Sequence, residues 1–181
     1  MHRHRAGSSR SPASTVPTVP DFDSAQFRKV LGHFPTGVTV VTGIGVNGEP
    51  NGLTIGSFAS VSLDPPLVGF FPALNSTSWP DIAPSGRYCV NILHANQAEL
   101  CWKFAKDTDG RFDGLEWSPS PSGQPILPGV IGWIDCMIEG IYEMGDHWFV
   151  LGLVESLAHA DEADDAMIFF RGKVAGINLP S

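Results

Sequence analysis

Apolar residues recur with a helical period in three short segments of the chain. In the first, residues 24–34, they follow Asp23, a residue type that caps helices, and precede Pro35. The same spacing recurs over Ser76–Ala83 and Gln97–Lys106. The pattern therefore predicts short helices at these three places.

The other apolar segments are rich in β-branched and aromatic residues and are bounded by turn residues, which is typical of strands. They are Thr36–Thr42, Leu53–Ser62, Leu67–Phe71, Arg87–Leu93, Gly132–Glu143, His147–Leu157 and Met167–Gly176. Residues 107–125 are predicted to be a loop. Because most strands follow one another through hairpin turns, the pattern favours a mainly β protein, a Greek-key-like antiparallel barrel with few short helices, over a doubly wound sheet.

Residues 43–48 (GIGVNG) match the GxGxxG pattern of dinucleotide-binding folds. In those folds a helix begins at the glycines, so that its amides meet the pyrophosphate. Here Asn47-Gly48 is a hairpin signal and Glu49–Gly52 is a second turn. We therefore predict a β-hairpin and no Rossmann-type site.

Length and charge narrow the class of protein. The chain has 181 residues, 43% of them hydrophobic, which suits one domain over residues 21–181. Residues 1–20 carry three arginines and no acidic residue among Ser, Pro and Thr, and are predicted to be a disordered tail. The net charge of −8 argues against nucleic acid. With no secretory signal and no run of about 18 apolar residues, no membrane association is expected.

The cysteines Cys89, Cys101 and Cys136 are far apart, lie in apolar stretches and are odd in number. No CxxC pair occurs, so we expect neither a disulfide framework nor a metal site. Free buried thiols suit a reducing compartment, and we expect a cytoplasmic protein.

The second predicted strand carries hydroxyl groups, at Thr54, Ser57 and Ser60, among small and apolar residues. Such donors beside Phe58 suit the polar edges and apolar faces of a flat heteroaromatic ring. Ser57 can share a face with the other two hydroxyls only if the strand bulges near Gly56. An ordinary edge strand with exposed hydroxyls explains the same composition.

Two further segments carry candidate binding groups. Asn75–Trp79 opens a predicted helix with hydroxyls and amides that suit a phosphate, although plain N-capping explains it too. Gly145–His147 joins two strands, where His147 could lie over a cofactor with its tautomer fixed by Asp146. A turn with a surface histidine explains this segment equally well.

Several stretches, taken in order, resemble those of one known family. They are Phe27–Thr42, Ser57–Phe58, Ser62–Val68, Ser76 with Ser78, Trp79 and Ile82, Ser85–Asn91, Gly145–His147, Gly152, Val154–Ser156 and Phe170–Gly172. Their order and spacing, over about residues 24–177, resemble the flavin reductase-like family, whose fold is the FMN-binding split barrel. Within it they resemble the reductase components of two-component monooxygenases.

The resemblance implies an enzyme that reduces FMN or FAD by hydride transfer from NADH or NADPH and supplies reduced flavin to a partner oxygenase. It implies a homodimer. A flavin-binding protein without turnover and a cofactor-free barrel used for protein contacts are the alternatives, and the retained Gly-Asp-His at 145–147 argues against the first of these.

The resemblance also assigns roles to residues. Those implied to surround the flavin ring and ribityl chain are Pro35, Thr36, Gly37, Val38, Thr39, Thr54, Ser57, Phe58, Ala59 and Ser60. Ser76 and Ser78 would hold the phosphate with Trp79 beneath. His147, the candidate catalytic residue, would approach the nicotinamide, and Arg171 would help close the site. Thr77 stands where the family often has a basic residue, and Val174 where it often has an aromatic one.

Overall fold

The computed structural model describes residues 21–106, 109–160 and 165–177. The predicted tail over residues 1–20 lies outside the described residues. No helix in the described part of the chain is long and apolar enough to cross a membrane.

Within these residues the helices are short and the strands dominate. The helices are α1 (Ser24–Leu31), α2 (Ser78–Ile82) and α3 (Ala98–Ala105), and Ala83–Ser85 forms one 3-10 turn. The strands are β1 (Thr36–Gly37), β2 (Thr39–Ile44), β3 (Pro50–Ile55), β4 (Ala59–Leu63), β5 (Pro66–Phe70), β6 (Arg87–Ile92), β7 (Ser118–Pro119), β8 (Pro125–Ile126), β9 (Gly132–Met144), β10 (His147–His159), β11 (Met167–Phe170) and β12 (Lys173–Gly176).

Seven of the described strands form one sheet in the order β3-β2-β6-β9-β10-β5-β4, and every pair in it is antiparallel. A small sheet, β1-β11-β12, and the β7–β8 hairpin complete the strand pairing. The order differs from the sequence order because the chain crosses between hairpins. The predicted mainly β, antiparallel architecture is confirmed.

Both faces of the large sheet are covered. Val40 and Val41 are adjacent on β2 and both fully buried, yet they belong to different clusters of core side chains, as the alternation along a strand requires. The first cluster includes Phe70, Trp79 and Tyr88 under α2, whose rings meet edge to face with centroids 5.2–6.2 Å apart. The second includes Phe104 of α3. Packed side chains thus cover both faces of the sheet at β2.

The predicted strand Leu53–Ser62 is wrong in one respect, because the structure divides it into two strands. β3 pairs with β2, whereas β4 pairs with β5. As a result, β3 and β4 are at opposite ends of the seven-strand order. Residues 56–58 carry the chain from one edge to the other. The composition of residues 53–62 is that of one continuous strand. Only the pairing partners show that the strand is interrupted at residues 56–58.

Two other predicted elements also differ from the structure. The predicted last strand, Met167–Gly176, is a hairpin turning at Arg171, which has a φ of +51°. The predicted loop 107–125 contains β7, which pairs with β8. That hairpin is held by buried polar groups: Asn91 Oδ1 accepts from the Leu127 amide at 2.8 Å, and Asp135 accepts from the Ser122 hydroxyl at 2.6 Å.

The predicted helices exist but are shorter than expected. α1 is capped as predicted, since the Gln26 amide donates to Asp23 Oδ1 at 2.7 Å, but it ends at Leu31 instead of residue 34. α2 begins at Ser78 instead of Ser76, whose hydroxyl accepts from the Trp79 amide at 3.3 Å. At the GIGVNG segment a turn joins β2 to β3, so the prediction of a hairpin there is confirmed.

Candidate functional site

A groove of three cavities that meet at Gly56 crosses the break between β3 and β4. The central cavity, of about 480 Å³, is lined by the end of β3, the loop before α2, the end of α3 and the start of β10. It brings together Thr54, Ser57, Ser76, Ser78 and His147, five residues that the sequence analysis singled out. Residues separated by more than 90 positions in the chain therefore share one cavity.

Gly56 keeps the middle of the groove open. A Cβ added at this position would come within 3.2 Å of Thr36 Oγ1, which is tighter than ordinary contact. The residue is exposed and lines all three cavities. A side chain at this position would therefore narrow the groove where the cavities join.

Two hydroxyl groups of the central cavity, those of Thr54 and Ser57, are already engaged with the backbone. Thr54 Oγ1 donates to the Cys101 carbonyl at 2.7 Å. Ser57 Oγ donates to the Phe71 carbonyl at 3.3 Å and accepts from the Phe71 amide at 3.1 Å. These bonds tie β3 to α3 and residues 56–58 to the end of β5. The hydroxyls thus set the shape of the cavity, and they offer lone pairs to a ligand more readily than protons.

Arg111 lines one end of the central cavity, and sequence reasoning missed it. Its guanidinium donates to Ser78 Oγ, to Asn51 Oδ1 at 3.3 Å and to the Lys106 carbonyl at 2.9 Å. Among the described residues that line this cavity, Arg111 carries the one guanidinium and no side chain is acidic. The available signal was weak: only eight basic residues follow the first 20, and this one lies in a glycine-bounded loop.

His147 lies on the rim of the same cavity, at the first position of β10. Its Nδ1 is 2.7 Å from Asp146 Oδ1, and its side chain is 42% exposed. The backbone around it is held by two bonds, from the Leu74 amide to the Asp146 carbonyl at 3.0 Å and from the Trp148 amide to the Pro72 carbonyl at 2.9 Å. The strand start and the loop before α2 thus place the imidazole over the cavity.

The hydrogen bond from His147, together with the charge of its imidazole, lowers the pKa of the fully exposed Asp146 carboxyl below its ordinary value. Asp146 is therefore ionised and can only accept a hydrogen bond. Consequently Nδ1 of His147 carries a proton, and in the neutral imidazole Nε2 is an acceptor.

A second cavity of the groove, of about 750 Å³, lies between the end of α1 and the β11–β12 turn. Arg28, Lys29 and Arg171 line it together with apolar side chains. The Arg171 amide donates to the Gly32 carbonyl at 3.0 Å, which joins the turn to α1. Arg171 therefore lies in this cavity and does not line the central one.

The remaining predicted site residues do not line the central cavity. Thr39 is buried and donates its hydroxyl proton to the Ile55 carbonyl at 3.1 Å. Phe58 and Trp79 pack in the first core cluster, Trp79 directly behind Ser78. The others lie around the groove: Val38 and Thr36 line its neighbouring cavities, Pro35 and Gly37 are exposed beside it, and Ala59 and Ser60 are exposed on the edge strand β4.

Of the cysteines, Cys89 and Cys136 line none of the three cavities of the groove, whereas Cys101 lines the smallest of them. All three are buried, and burial raises the pKa of Cys136 to about 12 and that of Cys101 above its ordinary value. Within residues 21–106, 109–160 and 165–177 no group of His, Cys, Asp and Glu could hold a metal ion. The candidate chemistry of the central cavity therefore rests on hydroxyls, backbone, one arginine and one histidine among its described lining residues.

These residues fit a flavin. The described residues that line the central cavity include no carboxylate, and lone pairs along its wall with a guanidinium at one end suit a flat ring that carries a phosphate. The groove continues past Gly56 into the other two cavities, which leaves room for a second ligand. The fold and the groove together define a flavin-binding split barrel.

Comparisons with known proteins agree with that class. The family model described as "Flavin reductase like domain" matches residues 31–178 of this chain. The chain is 45% identical over 154 residues to a flavin reductase of Pseudomonas putida, covering 85% of this chain and 90% of that protein. This protein belongs to the flavin reductase-like family, as its sequence predicted.

Two solved structures are similar to this chain over most of its length. The nitrilotriacetate monooxygenase component B homologue of Mycobacterium thermoresistibile is 42% identical, with a TM-score of 0.81 over 87% of this chain and 90% of that one. The NADH:FAD oxidoreductase SgcE6 of Streptomyces globisporus, in complex with NAD and FAD fragments, is 34% identical, with a TM-score of 0.81 over 90% and 98%. The predicted split-barrel fold is confirmed.

Proposed function

We propose that this protein reduces FMN or FAD with NADH or NADPH and releases the reduced flavin to a separate oxygenase. The observation that carries the proposal is the central cavity, in which an arginine and two serines at one end face a histidine on the rim. The relatives named as reductases and as a monooxygenase component support both the activity and the partner.

We place the flavin phosphate at Ser76, Ser78 and Arg111. Ser78 is only 2% exposed, and because Arg111 donates to its oxygen, its own proton remains available to a phosphate. The guanidinium supplies the charge that Thr77 does not. The flavin ring would then extend past Thr54 and Ser57 towards Gly56, where the missing side chain leaves room.

When both nucleotides are bound, hydride passes from the nicotinamide to the flavin N5, which is the chemistry of the cofactors themselves. The residues of this chain bind and orient the two rings, and a near-attack separation of about 3–3.5 Å is the geometry they must maintain. No acid–base residue is required for that step.

His147 positions the nicotinamide in this proposal. Its Nε2 is an acceptor on the rim, as the ionised Asp146 dictates, and the carboxamide of the nicotinamide offers an N–H donor. The cationic cavity beside α1 would receive the negatively charged part of the same nucleotide, with Arg171, Arg28 and Lys29 as its partners.

A homodimer would cover apolar surface that this chain leaves exposed. α1 buries none of its residues, and Phe27, Val30 and Leu31 on it are each at least half exposed. Phe34, which lines the second cavity of the groove, is 72% exposed. Contiguous apolar surface of this kind marks an interface. We propose a second copy of the chain as the partner, with the flavin close to the interface, and light scattering of the purified protein tests it.

The protein belongs in a reducing compartment in this proposal, since the described structure holds three free buried thiols. A cytoplasmic location accords with them.

The decisive experiment is anaerobic mixing of the protein with FMN and NADH while the flavin absorbance is followed, repeated with FAD, riboflavin and NADPH. We expect the flavin absorbance to bleach rapidly when the protein is present in catalytic amounts. Binding of flavin without bleaching would favour the non-catalytic flavin-binding alternative. Absence of any fluorescence quenching or melting shift with either flavin would favour a cofactor-free barrel and overturn the proposal.

A further inference from the structure

Two residues outside the central cavity hold Arg111 in place. They are Asn51 on β3 and Asp81 in α2, neither of which is among the described residues that line that cavity. Arg111 Nη1, which donates to Ser78, also donates to Asn51 Oδ1 at 3.3 Å. Asn51 Nδ2 in turn donates to Asp81 Oδ2 at 2.8 Å. Hydrogen bonds therefore connect the carboxylate of α2, through the amide of β3, to the guanidinium at the cavity.

The side-chain amide of Asn51 fits this arrangement in one orientation. Its oxygen accepts from the Gly52 amide at 2.7 Å as well as from the guanidinium, and both of these groups only donate. Its nitrogen faces the Asp81 carboxylate, which in its ionised form only accepts. Turning the amide over would lose all three bonds. Asp81 thus selects the orientation that presents an acceptor to Arg111.

Asp81 is itself fixed by the glycine-rich turn between β2 and β3. The Val46 amide donates to its Oδ1 at 3.2 Å, and a Cβ added at Gly45 would overlap the carboxylate. A Cβ added at Gly43 would likewise overlap Ile82 of α2. These two glycines of the GIGVNG segment therefore let α2 pack close enough for its carboxylate to reach β3.

From these contacts we propose that Asp81 and Asn51 are positioning residues of the flavin phosphate site and that they act through Arg111. The inference rests on the proposed function, in which the phosphate binds at Arg111. A long side chain loses conformational entropy when a ligand fixes it, and acceptors that hold it beforehand reduce this cost. The Asp81 carboxylate therefore strengthens the binding of an anion that its own charge would repel.

The sign of the effect separates positioning from simple electrostatics. Removing the Asp81 carboxylate takes a negative charge away from the neighbourhood of the phosphate, and by Coulomb's law alone this would tighten FMN binding. Loss of positioning would weaken FMN binding instead. Riboflavin has no phosphate and should respond to neither effect.

The test is fluorescence titration of the full chain with FMN and riboflavin in Asp81→Ala and Asn51→Ala, each also combined with Arg111→Ala. We expect either single variant to weaken FMN binding about 2- to 10-fold, the effect of one hydrogen bond, and to change riboflavin binding less than about twofold. In the Arg111→Ala background the same substitutions should leave FMN binding unchanged or tighter, because no guanidinium remains to be positioned.

Glu49→Ala is the matched control. It removes an exposed carboxylate from the same turn between β2 and β3 and leaves the bond between Asn51 and Asp81 intact. FMN binding should be unchanged or tighter in this variant.

Weaker binding of FMN but not of riboflavin, with no such loss in the Arg111→Ala background, supports the inference. Unchanged or tighter FMN binding in Asp81→Ala, an equal loss for riboflavin, or an equal loss in the Arg111→Ala background would overturn it and leave the flavin site itself in place. Failure of both flavins to bind to the unmodified protein would instead remove the proposed function.

Discussion

Arg111 is the residue whose removal tests the proposed flavin site most directly. It was invisible to motif analysis, lies 33 positions from Ser78 in the chain and yet donates a hydrogen bond to that hydroxyl. If the flavin phosphate binds there, Arg111→Ala removes a charge-assisted hydrogen bond from a half-buried position. Riboflavin, which has no phosphate, does not make this bond.

The magnitude follows from the nature of the contact. A hydrogen bond between charged groups contributes about 1.5–3 kcal/mol, so the dissociation constant of FMN should rise about 10- to 150-fold. Arg111→Lys should give a smaller loss, because an ammonium keeps the charge but not the planar fork that can hold two phosphate oxygens. The affinity for riboflavin should stay within about twofold, since it depends on the ring-binding part of the cavity alone.

Fluorescence titrations with FMN and riboflavin measure both constants on the same protein. Arg87→Ala is the matched control, because it removes an arginine that pairs with Glu155 and lines none of the described cavities. Arg111 also donates to the Lys106 carbonyl, so a collapse of the loop would weaken riboflavin as well. Equal losses for the two ligands, or no loss for FMN, would refute the phosphate assignment.

Four further outcomes are expected. His147→Ala should raise KM for NADH more than it lowers kcat, and Asp146→Asn should do so to a smaller degree; unchanged steady-state constants would exclude the positioning role. In His147→Ala the pKa of the Asp146 carboxyl should rise towards its ordinary value, because the hydrogen bond that lowers it is lost. As the pH is lowered in an NMR titration, Asp146 should therefore become protonated at a higher pH in the variant than in the unmodified protein. Gly152→Ala would place a methyl group against the buried Tyr88 hydroxyl and should lower the free energy of unfolding by about 1–3 kcal/mol, and adding Tyr88→Phe should restore part of it in thermal melts. Cys136, with its pKa raised to about 12 by burial, should not react with thiol reagents until the protein unfolds, and rapid labelling of the native protein would contradict that.

Much of the candidate site was predictable because its parts have local signatures. The hydroxyl pattern around Thr54, the serines before α2 and the Asp146–His147 pair are each contiguous in sequence, and the structure gathers all three in one cavity. Arg111 was not predictable, because a lone arginine in a polar loop has no pattern, and its partner Ser78 is distant in the chain. Arg171 was assigned to the same site, but the turn at its positive φ directs it to the cavity beside α1.

The sequence alone determined the class of fold, the family and the hairpin at Asn47-Gly48, since residue propensity, alternation and turn chemistry act over a few neighbouring residues. Tertiary structure decided where the chain after Ile55 pairs next, and hence that residues 56–58 cross the sheet instead of continuing a strand. It also decided which loop supplies the positive charge beside Ser78. Such features depend on which strands become neighbours, and this is set by packing between segments far apart in the chain, which no local pattern encodes.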